Sequence, residues 1–122
     1  DHCGTCNRCV DACPTQAILP DRTLDSRLCI SYWTIEAKTE IPPKIASNLK
    51  HNIFGCDICQ DVCPWNQKAR KRFKDHDPPQ WLDLTRLLEM PNDAVKSSFK
   101  DSALSRTKPE RLKSTARILK KL

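Results

Sequence analysis

The sequence predicts an α+β fold in which a small cysteine-rich domain precedes a set of short α-helices. Two cysteine runs of related spacing occupy the first half of the chain, and a strand-like apolar segment, Ala17–Leu19, follows the first run. Beyond residue 80, apolar residues recur at helical spacing. A chain of 122 residues that is 39% hydrophobic can bury only a modest core, so we expect the cysteines to help stabilise the first domain.

The first cysteine run begins almost at the start of the chain. Cys3, Cys6, Cys9 and Cys13, followed by Pro14, are spaced Cys-x2-Cys-x2-Cys-x3-Cys-Pro. This spacing is typical of bacterial ferredoxins, in which three of the thiolates bind one [4Fe-4S] cluster and the fourth binds a second cluster. A single run of this kind therefore predicts a partner run elsewhere in the chain.

The partner run comprises Cys56, Cys59 and Cys63 and is also closed by proline. It lacks the first cysteine of the pattern, since Ile53 occupies that position. Cys29 is the one cysteine that neither run uses, so we assign it as the missing ligand. Crossed ligation then divides all eight cysteines between two clusters. The first cluster takes Cys3, Cys6, Cys9 and Cys63, and the second takes Cys13, Cys29, Cys56 and Cys59.

Three other uses of the cysteines compete with this assignment. A disulfide framework also favours an even number of cysteines in a short chain, but it does not require this spacing twice. Zinc sites of four cysteines use paired Cys-x2-Cys motifs, which three cysteines at such intervals would overfill. A single cluster with four structural cysteines would leave Cys29 and the Cys-Pro pairs unexplained. Two iron–sulfur clusters account for more of the sequence than any of these.

The chain divides into three predicted segments: residues 1–67 form the cluster domain, residues 68–80 a basic linker, and residues 81–122 a helical segment. Within the cluster domain, a helix that starts at Pro43 is expected to lead into the second cysteine run. In the helical segment, an α-hairpin and a last helix are predicted, and short helices with a basic face are typical of the start of a helical repeat array.

The apolar stripes of the helical segment predict which side chains face inward. The hairpin stripes consist of Trp81, Leu82, Leu84, Leu87 and Leu88 before Pro91, and of Val95, Phe99 and Ala103 after it. The inward positions of the last helix are Leu112, Ala116, Leu119 and Leu122. A capping box over Thr107–Glu110 is expected to start that helix.

Charge is divided unevenly along the chain. Residues 1–63 contain six Lys or Arg against eight Asp or Glu, so the net charge of +6 arises entirely in the second half. A cluster domain followed by a basic segment suggests electron transfer beside a polyanion, for which nucleic acid is the commonest candidate. The alternative is a solvated helical surface with no partner.

The ends and the composition of the chain lead to two further expectations. Thiolate ligands need a reducing compartment, and the sequence contains neither a membrane-spanning apolar run nor a signal-peptide pattern, so a cytoplasmic location without membrane contact is expected. The start at Asp1, directly before Cys3, suggests a fragment whose upstream domain is missing.

Four stretches together resemble the epoxyqueuosine reductase family: Cys3–Pro14, Cys29–Glu36, Gly55–Asn66 and Ser102–Leu112. The third stretch reads Gly-Cys-Asp-Ile-Cys-Gln-Asp-Val-Cys-Pro-Trp-Asn, so the resemblance includes positions that are not cluster ligands. The lone Cys29 also agrees with the ligation of that family. One departure is the absence of glycine in Lys38-Thr39-Glu40, where relatives tend to have one.

The resemblance implies a cobalamin-dependent enzyme that reduces epoxyqueuosine to queuosine in the anticodon stem-loop of tRNA. It implies a ferredoxin-like domain with two [4Fe-4S] clusters, followed by HEAT-like helices that help to hold tRNA. It also implies that cobalamin is bound mainly by a missing N-terminal domain, so no catalytic residue is assigned here and the chain alone is expected to be inactive. An external electron donor and a monomeric state are expected.

The resemblance further implies two sets of contact residues. Those expected near cobalamin are Ser31, Lys38, Cys56 and Asp57. Those expected to contact tRNA phosphates are Arg70, Lys71, Arg72, Arg106, Lys108, Arg111 and Lys113. Two other functions remain open at this point: a stand-alone two-cluster ferredoxin, and the cluster domain of a reductive dehalogenase, another class of cobalamin enzyme.

Overall fold

A computed structural model of the chain describes residues 2–67 and 83–122. Within these ranges it contains six short α-helices, a π-helical turn and three 3₁₀ turns. The α-helices are α1 (Arg8–Ala12), α2 (Pro43–Ala46), α3 (Ile58–Asp61), α4 (Leu84–Glu89), α5 (Asn92–Phe99) and α6 (Pro109–Leu119). The π-helical turn is Tyr32–Glu36, and the 3₁₀ turns are Ser26–Leu28, Pro64–Asn66 and Ala103–Arg106.

The predicted sheet is not confirmed in the described part of the chain. Extended pairing there is limited to one isolated antiparallel bridge between Ile18 and Leu24. The chain reverses between them, because the Leu19 N–H donates to the Thr23 carbonyl at 2.9 Å and Arg22 adopts a positive φ of 66°. The apolar segment thus becomes one arm of a tight turn that is too short to form a strand.

Helices α1 and α3 pack against each other, and each lies inside one of the two cysteine runs. Helices of four or five residues are too short to be stable alone in water, so their stability must come from tertiary contacts and ligands. The pair brings the two cysteine runs together at one end of the chain's first half.

One apolar core lies beneath the second cysteine run and consists of Ile30, Ile41, Ile45 and Leu49. The predicted helix does start at Pro43, but it ends at Ala46. The chain then turns through Lys50, whose φ is +53°, so a loop rather than a helix leads to Cys56. The continuous helix expected from Pro43 to the second run was therefore wrong.

A second core joins the last three helices and consists of Leu87, Val95, Phe99, Leu112 and Ala116. Ile53 and Phe54, from the loop before Cys56, pack against it. In return, Ile118 and Leu119 of α6 pack against the first core. The helical segment is therefore packed directly on the cluster half of the chain.

Two predicted inward positions of the helical segment are wrong. Ala103 is exposed in a 3₁₀ turn, and Leu122 is 69% exposed beyond the end of α6. The capping box is also absent, since Lys108 is the N-cap of α6 and makes no side-chain capping bond. The Thr107 N–H, which a capping box would direct to Glu110, donates to the Leu104 carbonyl at 3.2 Å, and Glu110 accepts a hydrogen bond from Asn92 at 2.7 Å.

Trp81, Leu82 and the predicted linker fall outside the described residues, as do Arg70, Lys71 and Arg72. Within residues 2–67 and 83–122, no helix is both long and apolar enough to cross a membrane.

Candidate metal centres

All four cysteines predicted to bind the second cluster line one cavity of about 290 Å³. Cys13 comes from the end of the first run, Cys29 from the middle segment, and Cys56 and Cys59 from the second run. Four cysteine thiolates are the usual donor set of a [4Fe-4S] cluster. Apart from these thiols, the walls include apolar residues such as Ala17, which would shield a cluster from water.

Cys29 reaches this cavity from a short capped turn. The Asp25 carboxylate accepts the Arg27 N–H at 3.0 Å and so caps the 3₁₀ turn Ser26–Leu28, at whose end Cys29 lies. The indole N–H of Trp33 donates to the Arg27 carbonyl at 2.7 Å. Bonds on both sides of Cys29 therefore fix the direction in which its thiol leaves the backbone.

The thiols of this cavity differ in their electrostatic environments. Burial acts to raise the pKa of Cys13, but hydrogen bonds from the Ala17 and Thr15 backbones and the Thr15 side chain outweigh it, and the pKa is lowered. The Ala17 N–H lies 3.2 Å from Cys13 Sγ. For Cys56, burial and the neighbouring thiolates raise the pKa, and for Cys59 burial and Cys29 do the same. Such crowded thiolates become stable when they bind a cation.

The segment that carries Cys3 and Cys6, two predicted ligands of the first cluster, is held by hydrogen bonds. The Cys6 N–H donates to the Cys3 carbonyl at 2.9 Å, which closes the loop between these two predicted ligands. Arg22 donates to the carbonyls of Gly4 at 2.5 Å and Cys6 at 3.3 Å, so the turn after the first run holds the same loop. These bonds fix the start of the first run.

An aromatic contact brings the segment of Cys63 beside the segment of Cys3. The rings of His2 and Trp65 meet edge to face with centroids 5.5 Å apart, and the Trp65 indole donates to the His2 carbonyl at 3.2 Å. Crossed ligation requires this proximity, because Cys63 must reach the cluster held by the first run.

The cysteine geometry does not favour disulfides or single-ion zinc sites. All eight cysteines lie in the described residues, and none of them forms a disulfide there. In the same residues, no three side chains of His, Cys, Asp or Glu are grouped closely enough to hold a single metal ion. The four thiols that line the second cavity do not converge on a single metal position, and this arrangement suits a cluster with several metal atoms.

Three of the four residues expected near cobalamin lie at the second cluster cavity. Ser31, Cys56 and Asp57 line it. Lys38 lies elsewhere, in a groove of about 620 Å³ between the loop after the π-helical turn and the start of α6. The structure thus brings three of these residues together and separates the fourth.

Several residues expected to contact tRNA bind other parts of the chain. Arg106 forms an ion pair with Glu36, and Arg111 donates to the carbonyls of Ala37, at 2.8 Å, and Thr39. These bonds connect the helical segment to the loop of the cluster half.

Of the two other predicted tRNA contacts in the described residues, one binds a backbone carbonyl and the other is exposed. Lys113 donates to the Met90 carbonyl within the helical segment, whereas Lys108 is exposed at the groove. Sequence reasoning missed these internal bonds because neither residue spacing nor charge distinguishes a cation that binds a distant carbonyl from one that faces solvent.

Comparisons with known proteins extend these observations. A family described as the 4Fe-4S double cluster binding domain matches residues 2–66. Epoxyqueuosine reductase of Cellulophaga algicola is 46% identical over 126 residues, which cover 98% of this chain and 40% of that protein. The epoxyqueuosine reductase of Synechocystis sp. is also 46% identical and is matched over 94% of this chain and 42% of its own length. The chain spans about two fifths of the length of these curated relatives.

Solved structures show the same similarity. Epoxyqueuosine reductase from Bacillus subtilis superposes with a TM-score of 0.79 at 30% identity, over 98% of this chain and 33% of that one. A structure of epoxyqueuosine reductase with an epoxyqueuosine-modified tRNA-Tyr stem loop superposes with a TM-score of 0.77 at 29% identity, over 96% of this chain and 32% of that one.

Proposed function

The chain belongs to the family of 4Fe-4S double cluster binding domains, and on that premise we propose that it is the electron-transfer and tRNA-contacting part of an epoxyqueuosine reductase. The observation that carries the proposal is the cavity lined by Cys13, Cys29, Cys56 and Cys59, because a lone cysteine completes the interrupted second run there. The similarity to epoxyqueuosine reductases over nearly the whole chain supports the same function and favours it over a dehalogenase or a stand-alone ferredoxin.

The proposed ligands follow the crossed pattern. Cys3, Cys6, Cys9 and Cys63 hold the first cluster, and Cys13, Cys29, Cys56 and Cys59 hold the second. Reduction of an epoxide requires electrons from outside the substrate, and the two clusters would relay them from an external donor. The pair of α1 and α3 keeps the two sites adjacent, as transfer between clusters requires.

Cobalamin, held mainly by a domain outside this chain, would supply the metal centre that delivers electrons to the epoxide. Ser31, Cys56 and Asp57 line the second cluster cavity and would contact the corrin from this side. Lys38 lies on the loop next to this segment and would have to reach around it. On this arrangement the second cluster is the one nearer to the corrin.

The tRNA contact is proposed for the basic surface of the helical segment. A solved relative is described with a modified tRNA stem loop, which supports a nucleic-acid partner. Lys108 and Arg106 are the exposed residues among the described candidates, and Arg106, Arg111 and Lys113 also hold internal partners. Phosphate contacts of this kind give affinity that falls with salt and carry little sequence information. We place the reaction in the cytoplasm, where tRNA and reduced thiols occur together.

The proposal is tested with the full-length protein of which we propose this chain to be a part. The protein is loaded with both clusters and cobalamin, then incubated without oxygen with a reductant and tRNA that contains epoxyqueuosine. Nucleoside analysis is expected to detect queuosine. Absence of conversion, with both clusters and cobalamin shown to be present, would contradict the proposed reaction.

A further inference from the structure

The proposed ligands of the second cluster come from three separate segments of the chain, whereas those of the first come from two. In the first run, Cys3 and Cys6 are held by their short spacing and by the hydrogen bond from the Cys6 N–H to the Cys3 carbonyl. In the second site, Cys29 lies far from Cys56 in the chain, so chain connectivity cannot set the distance between their thiols. A tertiary contact must do so.

The side chain of Thr34 makes such a contact. Its hydroxyl accepts a hydrogen bond from the Gly55 N–H at 2.9 Å and donates to the Ile30 carbonyl at 2.9 Å. Ile30 follows Cys29 directly and Gly55 precedes Cys56 directly. One oxygen atom thus joins the two residues that flank these proposed ligands.

The side chain that makes this contact is buried. Thr34 is 0% exposed. A hydroxyl has one hydrogen to donate, and this one is shared with the Ser31 carbonyl at 3.3 Å as a weaker second acceptor. Loss of the hydroxyl would leave the Gly55 N–H without its acceptor in a part-buried position, which is costly.

The backbone on both sides is shaped for this approach. Gly55 has a φ of +76°, and a Cβ at this position would lie 3.6 Å from Ser31 Oγ and 3.8 Å from Ile35 Cδ1. Thr34 lies in the π-helical turn, where the Ala37 N–H donates to the Tyr32 carbonyl at 2.9 Å. π-Helical turns are rare in proteins, and those that occur are often found at functional sites.

We propose that Thr34 is a positioning residue for the second cluster, because its hydroxyl fixes Cys29 against the Cys56 run. It acts through the backbone beside the ligands and does not touch the cluster. The inference rests on the ligand partition of the proposed function. It also explains how a run that lacks its first cysteine keeps a fourth ligand in register.

The test compares Thr34→Val with Thr115→Val in the chain reconstituted with iron and sulfide under anaerobic conditions. Thr115 is the matched control: it is also 0% exposed, and its hydroxyl bonds only within α6, to the Arg111 carbonyl at 3.1 Å. Iron release to the chelator bathophenanthroline is followed together with the electron paramagnetic resonance of the reduced clusters. Cys29→Ala identifies which signal belongs to the second cluster.

Thr34→Val is expected to lose the second cluster about tenfold faster than the wild type, with the first cluster unchanged. Thr34→Ser keeps the hydroxyl and is expected to release the second cluster as slowly as the wild type does. Thr115→Val should release both clusters at the rates of the wild type. Equal acceleration of both clusters, or equal behaviour of Thr34→Val and Thr115→Val, would overturn the inference. If Cys29→Ala itself retained the second cluster, the ligand partition would fail instead.

A measurement on the unmodified chain covers the case in which Thr34→Val does not fold. Amide hydrogen exchange is read by mass spectrometry in a peptide that contains Gly55. Although Gly55 lies outside any helix, its amide is expected to exchange slowly because it donates to a buried hydroxyl. If the Gly55 amide exchanged as fast as the amides of a peptide around the exposed Gly4, the inference would be overturned.

Discussion

The two cysteine runs solve the same chemical problem in different ways. The first run carries three proposed ligands of one cluster at close intervals, with a local bond between the first two, and the fourth proposed ligand, Cys63, comes from a distant segment. The second has Ile53 at the position of its first ligand and takes Cys29 from a distant segment. The geometry of the second site is therefore a property of the tertiary fold.

Ile53, at the position where the pattern predicts a cysteine, has a packing role. Ile53 packs against the core of the last three helices, next to Phe54. A thiolate bound to a cluster could not make this apolar contact. This contact ties the loop before Cys56 to the helical segment, so the second cysteine run follows a loop that packs on the second core.

Removal of the iron is expected to have the largest effect, because it should unfold the cluster half of the chain and leave the helical segment more stable. Anaerobic chelation should unfold residues 2–63, since metal ligation and folding are coupled and the helices of this region are very short. Far-ultraviolet circular dichroism and amide exchange would measure the loss. Protection is expected to survive longest in α5 and α6, whose apolar contacts form the second core. A cluster region that kept native exchange rates without iron would contradict this expectation.

Loss of a contact between the helical segment and the cluster half is expected to have a smaller effect on stability. Arg111→Ala removes hydrogen bonds to the carbonyls of Ala37 and Thr39. The free energy of unfolding should fall by about 1–2 kcal/mol, the usual range for a charged hydrogen bond that is partly solvated. Denaturant unfolding of the iron-loaded chain measures it. Arg117→Ala, exposed on the same helix, is the matched control and should change stability little.

The smallest expected effect is a change in the reduction potential of the second cluster. Thr15→Val removes the hydroxyl that lies 3.7 Å from Cys13 Sγ. Hydrogen bonds to ligand sulfur help to set the potential of a cluster by stabilising its reduced form, so the potential of the second cluster should fall slightly. A redox titration monitored by electron paramagnetic resonance would detect the shift. The first cluster is the internal reference, and a shift of both potentials together would exclude this cause.

Sequence reasoning was most successful where chemistry depends on spacing. The intervals between the cysteines predicted a double-cluster domain, and the family match confirms it. The start of α2 at Pro43 and the separation of two helices at Pro91 were also predicted correctly, because proline acts on its immediate neighbours.

Sequence reasoning failed where a distant partner competes with a local pattern. The capping box at Thr107 did not form because the Thr107 N–H donates to the Leu104 carbonyl, while Glu110 accepts from Asn92 across the helical segment. The strand expected at Ala17–Leu19 was limited to a bridge by a turn that Arg22 closes. The role of the Thr34 hydroxyl could not be predicted either, because no interval in the sequence relates it to Gly55.

The central claim is that Cys29 replaces the missing cysteine of the second run, and substitution of this residue tests it most directly. Iron and sulfide are counted in reconstituted Cys29→Ala and in Cys3→Ala, the reciprocal variant. The wild type should contain about eight iron atoms per chain, and each variant about four, with the opposite cluster retained in its electron paramagnetic resonance spectrum. Full iron content in Cys29→Ala, or loss of both clusters from a chain whose helical segment stays folded, would contradict the claim.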